Sequence, residues 1–408
     1  MKKTVLLLSV LSLCACTENL EPTIQEVQEK AMQSQVENTH RVDEAQALEY
    51  ANLYFSQTQT RSTADLKRDY IVEDIVTRSG QAAKDTLAYV FNRGEEEGFV
   101  LIATDNRIYP LLAFSETGYF EYEKGSTVDF AFVSRLGAYY EENEGEEEQI
   151  VTEEILPTCT LQQPSLSTSW GQGEPWDKYV IQEHPGCPVG CLAVATGMIM
   201  AHCKDSLTYH NVNFDFATIN ETLRTQGITP ELPVPLNINA NSTSPMSKET
   251  AIDYVARLLF LLGQDMHMTY LPEGSGADIK EARNVLINNS YDVLDYEGGL
   301  FGFNTMRGTE HLMNNYLLLM YGENTNGKTA HSWVGDGYAY CINKLLHRFN
   351  YIAIHCDWGW NGSCNGYYTG EVFDIPSVNR AYKALKHYSI KNENEEEGEY
   401  KHIESLLQ

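Results

Sequence analysis

The chain has 408 residues, 42% of them hydrophobic, which is enough for two cored domains and excludes a disordered protein. Its 29 Lys and Arg stand against 57 Asp and Glu, a formal net charge of −28. A phosphate backbone is repelled by that balance, so nucleic acid is not an expected partner.

The opening "MKKTVLLLSVLSLCACTEN" has a positive start, an apolar run and then small residues, which predicts a secretory signal peptide over residues 1–16. The run is too short to span a bilayer permanently. Within it, "LCAC" resembles the lipobox of bacterial lipoproteins, which would make Cys16 the lipid-bearing mature N-terminus, with plain secretion as the alternative. No other apolar stretch approaches spanning length, so contact with a membrane is expected only through this lipid. Export permits disulfides. Of nine cysteines, seven lie beyond the signal, an odd number that leaves at least one thiol free or paired outside the chain. Such a thiol is either a nucleophile or a small buried hydrophobe.

Residues 17–140 read as a small α+β unit. Helical spacing in "VDEAQALEYANLYF" puts Ala47, Leu48, Ala51 and Tyr54 or Phe55 on one side. "TLAYVFN" and "GFVLIAT", joined by "RGEEE", predict a β-hairpin, and "YPLLAFSETGYF" a further strand. Residues 141–154 hold eight glutamates in fourteen positions and predict a solvated, protease-sensitive joint. The run "NENEEEGE" marks residues 391–408 as an acidic tail.

Between them, residues 155–390 carry the concentrated chemistry. Four of the five tryptophans fall in two neighbourhoods, Trp170 with Trp176 and Trp358 with Trp360. Aromatics beside glycines suit a groove for an extended ligand, or an ordinary core. "CLAVATGMIMAHC" is apolar nearly all round and lacks proline, predicting a buried helix that starts near Cys191. A thiol there faces unpaired N–H groups and the positive end of the helix dipole, which favour the thiolate and make Cys191 the preferred nucleophile. Zinc fits poorly, because His202 would lie about 16 Å from Cys191 at about 1.5 Å per residue, whereas tetrahedral ligands sit at roughly 2 Å. The same distance removes His202 as a base and leaves it a helix-end residue. Cys187 and Cys203 are left to pair elsewhere, with partners the spacing does not identify.

A thiol nucleophile needs a base in hydrogen-bond reach and a group to orient that base. Of eleven histidines, His331 in "NGKTAHSWVGDGYAY" is best placed, where a polar loop hands over to a β-type run. A second run, "FNYIAIHCDWGW", follows, and a hairpin centred near Lys344 would set His331 opposite Asp357. The Asp336-Gly337 pair is a competing turn or a bulge. His355 is the rival base, weaker because the same register puts it opposite Trp333 with no carboxylate across the ladder. His331 follows Cys191 by 140 positions, within the spacing of papain-like peptidases.

Together, "GCLAVATGMIMAH", "AHSWVGDGY" and "HCDWGWNGSCNGYY" resemble the streptopain family of papain-like bacterial cysteine peptidases over most of residues 155–390. "YVFNRGEEEGFVLIATDNRIYPLLAFSETG" resembles that family's inhibitory pro-domain. The resemblance implies an α+β papain-like fold, with a helical part carrying the cysteine and an antiparallel sheet carrying the histidine. It implies Cys191 as nucleophile, His331 as base and Gln172, in "SWGQGEPW", as the oxyanion donor beside the Cys191 N–H. "YLPEGSGAD", with Gly274, Ser275 and Gly276, resembles the substrate loop, and Trp358 the tryptophan that shields the site. Two positions depart from the pattern. Asp357 stands where the family has asparagine, and a carboxylate there would hold an imidazolium more strongly. Ala330 replaces a glycine before the histidine and narrows a subsite.

The expectation is thus an exported cysteine endopeptidase made as a zymogen, needing no metal or cofactor, acting on proteins or peptides and inhibited by its own pro-domain. A transglutaminase-like acyltransferase and a non-catalytic inhibitor or binding protein are the alternatives. The first shares the order Cys, His, Asp; the second is opposed by the intact Cys191, His331 and Gln172.

Overall fold

The structure, a computed structural model, describes residues 40–57, 66–76, 82–107, 109–121, 159–166, 168–227, 246–296, 304–323, 330–343, 348–369, 386–392 and 400–407. The signal segment with Cys16, the joint at 141–154 and the glutamate run of the tail lie outside the described residues.

Helix α1 (Glu44–Gln57) starts where the Asp43 carboxylate accepts from the Gln46 N–H at 2.8 Å, an N-cap that satisfies one of the open amides of the first turn. Its buried side is Ala47, Ala51 and Tyr54, with Leu48 and Phe55 packed at the edge, as the helical spacing predicts. That side lies on an antiparallel meander of β1 (Leu66–Val76), β2 (Ala82–Arg93), β3 (Phe99–Ala103) and β4 (Leu111–Ser115). The β2–β3 hairpin pairs Asn92 with Phe99 and turns through Gly94 (φ 58°). The long pairing of β1 with β2 had no signal in the sequence.

The remaining strands are β5 (Cys159–Gln162), β6 (Ser206–Tyr209), β7 (Val212–Asp215), β8 (Val293–Tyr296), β9 (Tyr316–Glu323), β10 (Ala330–Asn343), β11 (Arg348–Asp357), β12 (Gly366–Thr369) and β13 (Lys386–Lys391). Except for the separate β6–β7 pair, they continue the meander as one antiparallel sheet, in the order β1-β2-β3-β4-β12-β11-β10-β9-β13-β8, with β5 on β10. The seam is β4 against β12, Phe114 facing Tyr367 and Ala113 facing Tyr368. Only glycine fits beside it at position 366, since a Cβ there would sit 2.7 Å from the Phe114 carbonyl oxygen and 2.8 Å from the Phe99 ring. Side chains from both sides of the seam share one core, including Leu87, Phe99, Leu101 and Phe120 with Met320, Trp333, Trp358 and Tyr368.

The helices are α2 (Val180–Glu183), α3 (Cys191–Cys203), α4 (Phe216–Thr225), α5 (Lys248–Asp265), α6 (Ile279–Asn288) and α7 (Thr305–Met313). Helix α3 is buried all round, between α5 and α6 on one side and β9 and β10 on the other. Met198, Ile199 and Met200 are each fully buried, so truncating any of them to alanine costs ~2–5 kcal/mol. The result is α+β, with the cysteine on a helix and the histidine on an antiparallel sheet.

Part of the segment read as an acidic tail is docked. The Tyr400 hydroxyl and the Ile403 N–H both donate to the Glu310 carboxylate on α7, at 3.2 and 3.0 Å. Arg307 pairs with the same carboxylate, and Ile403 is buried. Cys341 is disulfide-bonded, and the residue across the ladder from it is Cys159. Among the described residues Cys187, Cys191, Cys203, Cys356 and Cys364 are free thiols.

Candidate active site

Helix α3 begins at Cys191 because Gly190 turns the chain with φ 98°, and a Cβ there would lie 3.0 Å from the Met268 side chain and 3.1 Å from the Ser275 carbonyl. Two neighbouring segments close on this turn. The Ser275 hydroxyl donates to the Pro188 carbonyl at 2.6 Å, bringing the Gly274-Ser275-Gly276 loop against the approach to Cys191. The Val189 N–H donates to the Gln172 carbonyl at 2.9 Å, bringing the other expected loop in beside it.

The Cys191 thiol lies against β10. Burial raises its pKa, opposed by hydrogen bonds from the Ser332 and Leu192 amides, its own amide and the Ser332 hydroxyl. Those donors provide the thiolate stabilisation expected of a helix start, but burial outweighs them. Ser332 places His331 at the adjacent position of the strand. The imidazole is buried, and its Nε2 donates to the Trp358 carbonyl at 2.9 Å. Since a carbonyl only accepts, Nε2 carries the proton and Nδ1 holds the basic lone pair. Burial lowers the His331 pKa to about 4, with the Trp358 carbonyl opposing it, so the ring is neutral near pH 7. Three indoles flank the ring: Trp360 at 4.9 Å between centroids, Trp333 at 6.0 Å and Trp358 at 6.1 Å.

The expected facing of His331 and Asp357 does not occur. Asp357 pairs with Val334, and His331 pairs with Gly322 on β9 instead. The cause is the centre of the hairpin: the innermost pairs, Asn343–Arg348 and Ile342–Phe349, are already displaced from the expected register, and the bulge at Asp336 and the irregularity after Cys341 offset each other. The Asp357 carboxylate accepts from the Gly359 N–H at 3.0 Å rather than from the imidazole. Burial raises its pKa to about 7. A main-chain carbonyl therefore orients His331 where a side chain was expected.

The same displaced register corrects the argument against His355. It faces Gly337, not Trp333, and its Nδ1 lies 2.6 Å from the Asp336 carboxylate, so it does have an acidic partner. That pair is four residues along β10 from Ser332, about 13 Å at ~3.3 Å per residue, which keeps it from the Cys191 thiol. His202 ends α3 as expected, its Nε2 accepting from the Asn392 amide at 3.0 Å.

The Gln172 backbone and Ser275 thus adjoin the turn into Cys191 and Ser332 meets its thiol, while His331, one residue earlier on β10 and so on the other face of the strand, meets the Trp358 carbonyl and the three indoles; Ala330 is exposed. Three contributors escaped the sequence reading. Trp360 packs closest of the three indoles on the imidazole. Asn361 accepts from the Trp176 indole N–H at 2.7 Å and donates its own amide to the Trp170 carbonyl, tying the Gln172 loop to the turn after β11. Asn365 binds the Trp358 N–H at 3.1 Å. The "DWGW" spacing was a usable signal for Trp360; nothing in the sequence singled out the two asparagines.

A family model described as "Peptidase C10 family" matches residues 170–368, and one described as "Spi protease inhibitor" matches residues 39–136. Thiol protease/hemagglutinin PrtT of Porphyromonas gingivalis is 29% identical over 188 residues, 40% of this chain. The chain spans only 20% of that relative's length. A solved structure of a prointerpain A fragment from Prevotella intermedia aligns with TM-score 0.48 and 17% identity, over 80% of this chain and 98% of that one. By its matched segments, the chain is similar over residues 170–368 to the Peptidase C10 family, the streptopain family of papain-like cysteine peptidases, and over residues 39–136, ahead of that part, to an inhibitor-type pro-domain.

Proposed function

We propose that the protein is an exported cysteine endopeptidase made as a zymogen, with Cys191 as nucleophile and His331 as its base. The observation that carries this reading is a helix-start thiol hydrogen-bonded by Ser332, with the next residue along the same strand, His331, fixed through Nε2, which leaves Nδ1 as the basic nitrogen. In the reaction, Nδ1 takes the thiol proton and the sulfur adds to the peptide carbonyl carbon. The oxyanion is held by the Gln172 side-chain amide and the Cys191 N–H. The imidazolium then gives its proton to the amine as the C–N bond breaks, leaving a thioester. Water, deprotonated by His331, cleaves the thioester and returns the thiol. No step requires a metal or an organic cofactor.

The loop of Gly274, Ser275 and Gly276 and the exposed Ala330 are the substrate-facing rims, and Trp358 and Trp360 cover the imidazole. Residues 17–140 inhibit the peptidase part until the chain is cut in or near residues 141–154. The apolar start and "LCAC" support export with lipid on Cys16. Mass spectrometry of the purified full-length chain, with and without the thiol alkylator E-64, tests the reading. The expected result is shortening of the chain that E-64 stops, with the added mass on the peptide containing Cys191. A chain that stays full length and carries no adduct on Cys191 overturns it.

A further inference from the structure

The Trp358 carbonyl can hold His331 only if its peptide plane is itself held, and the sequence places a glycine right after it, Gly359, at φ 71°. Two side chains grip the two planes that meet at the Trp358 Cα, Asn365 the one before it and Asp357 the carbonyl's own. Asn365 Oδ1 accepts from the Trp358 N–H at 3.1 Å, and Asp357 Oδ1 accepts from the Gly359 N–H at 3.0 Å. The two grips are joined, because the Asn365 side chain also faces the Asp357 carboxylate and acts to lower its burial-raised pKa. Its Nδ2 is the only donor Asn365 offers there, so the amide is locked with oxygen toward Trp358 and nitrogen toward Asp357.

We propose that Asn365, through this clasp with Asp357, is a positioning residue for hydrolysis: it sets the direction of the Trp358 carbonyl and hence of the His331 imidazole. The inference rests on the peptidase reading above. Asn365 itself touches no substrate and no reacting atom. Its substitution releases the Trp358 N–H and the Asp357 carboxylate that holds the carbonyl's plane, and the imidazole loses a fixed acceptor. A misplaced base slows proton transfer while leaving ground-state substrate contacts in place, so the loss falls on kcat.

The chemistry also predicts a rescue. Asn365→Asp alone sets two carboxylates against each other and removes the donor. Asp357→Asn added to it restores one amide and one carboxylate, with the acceptor toward Trp358 kept at position 365 and the donor now at 357.

The test uses the full chain in two backgrounds. In the active background, peptide hydrolysis is measured after maturation, with active sites counted by E-64 titration. Asn365→Ala and Asn365→Asp are expected to lower kcat on the order of 10-fold to 100-fold with KM within about two-fold, and the exchanged double variant to recover most of kcat. In a Cys191→Ala background, the Nε2–H resonance of His331 is followed in histidine-labelled protein. It is expected to be protected from solvent exchange in the parent and in the exchanged double variant, and to exchange rapidly in Asn365→Ala. Unchanged kcat and unchanged protection in Asn365→Ala overturn the proposal, as does a double variant no better than Asn365→Asp. Absence of any hydrolysis by the parent would instead overturn the peptidase reading, and the resonance would still decide the role of Asn365.

Discussion

His331 donates from Nε2 to the main-chain oxygen of Trp358 at 2.9 Å, an acceptor that no side-chain substitution deletes. The acidity of Asp357 is therefore not what aims the imidazole. Asp357→Asn keeps an acceptor for the Gly359 N–H and is expected to retain activity within about ten-fold, whereas His331→Ala removes the base and is expected to abolish turnover. Active-site-titrated peptide hydrolysis distinguishes the two, and loss in Asp357→Asn equal to that in His331→Ala would show a carboxylate contribution that this geometry lacks.

Gly190→Ala introduces a methyl group 3.0 Å from Met268 and 3.1 Å from the Ser275 carbonyl, at a φ of 98° that other residues rarely adopt. The strain is worth about 1–3 kcal/mol, and it displaces both Cys191 and the Ser275 loop. A lower melting temperature together with a fall in kcat/KM on the order of 10²-fold is expected. Full activity with an unchanged melt would mean that the helix start does not need this conformation.

Gly366→Ala acts at the seam. The new methyl group meets the Phe114 carbonyl and the Phe99 ring, both from the segment matched by the inhibitor family, so it weakens docking of β4. Overpacking of this kind costs roughly 1–3 kcal/mol. The intact chain is expected to convert to the mature form faster than the parent, seen as a shorter half-time on denaturing gels. A half-time equal to the parent's would detach inhibition from the seam.

Acid should destabilise the covered form. Burial lowers His202, His311 and His331 to about 4 and His387 to about 3, each from about 6.5. Between pH 6.5 and 4 the unfolded chain binds protons that the folded chain refuses, so stability falls as pH drops through that window. Asp357, raised to about 7, works the other way, gaining a proton on folding between pH 7 and about 4. Four histidines outweigh one carboxyl, and the melting temperature of the Cys191→Ala chain is expected to fall between pH 6.5 and 5. A flat or rising melt over that interval would contradict it.

The elements legible in the sequence were those whose signal is local. The apolar run after Gly190 announced α3, and the two β-prone runs around "RGEEE" announced the β2–β3 hairpin. Cys191 followed from electrostatics at a helix start, and His331 from its place at the head of a strand. Register was lost because the hairpin centres further along the chain than the sequence suggests, with Asn343 already paired to Arg348, and because Asp-Gly reads equally as a turn. The orienter of His331 was lost for another reason: a search among side chains does not see a backbone carbonyl. Asn365 depends on the turn bringing it back to Trp358, a contact visible only once the chain is folded.

The β4–β12 seam also separates two events that are easily merged. Severing the chain between the two parts breaks one covalent connection and leaves the ladder and the common core as they were. What changes is the local concentration of the inhibitor, which drops from that of a tethered neighbour to that of a free solute. On the proposed reading a freshly nicked molecule is therefore still silent, and its awakening is a dissociation, sensitive to dilution and to destruction of the departing piece, rather than the scission itself.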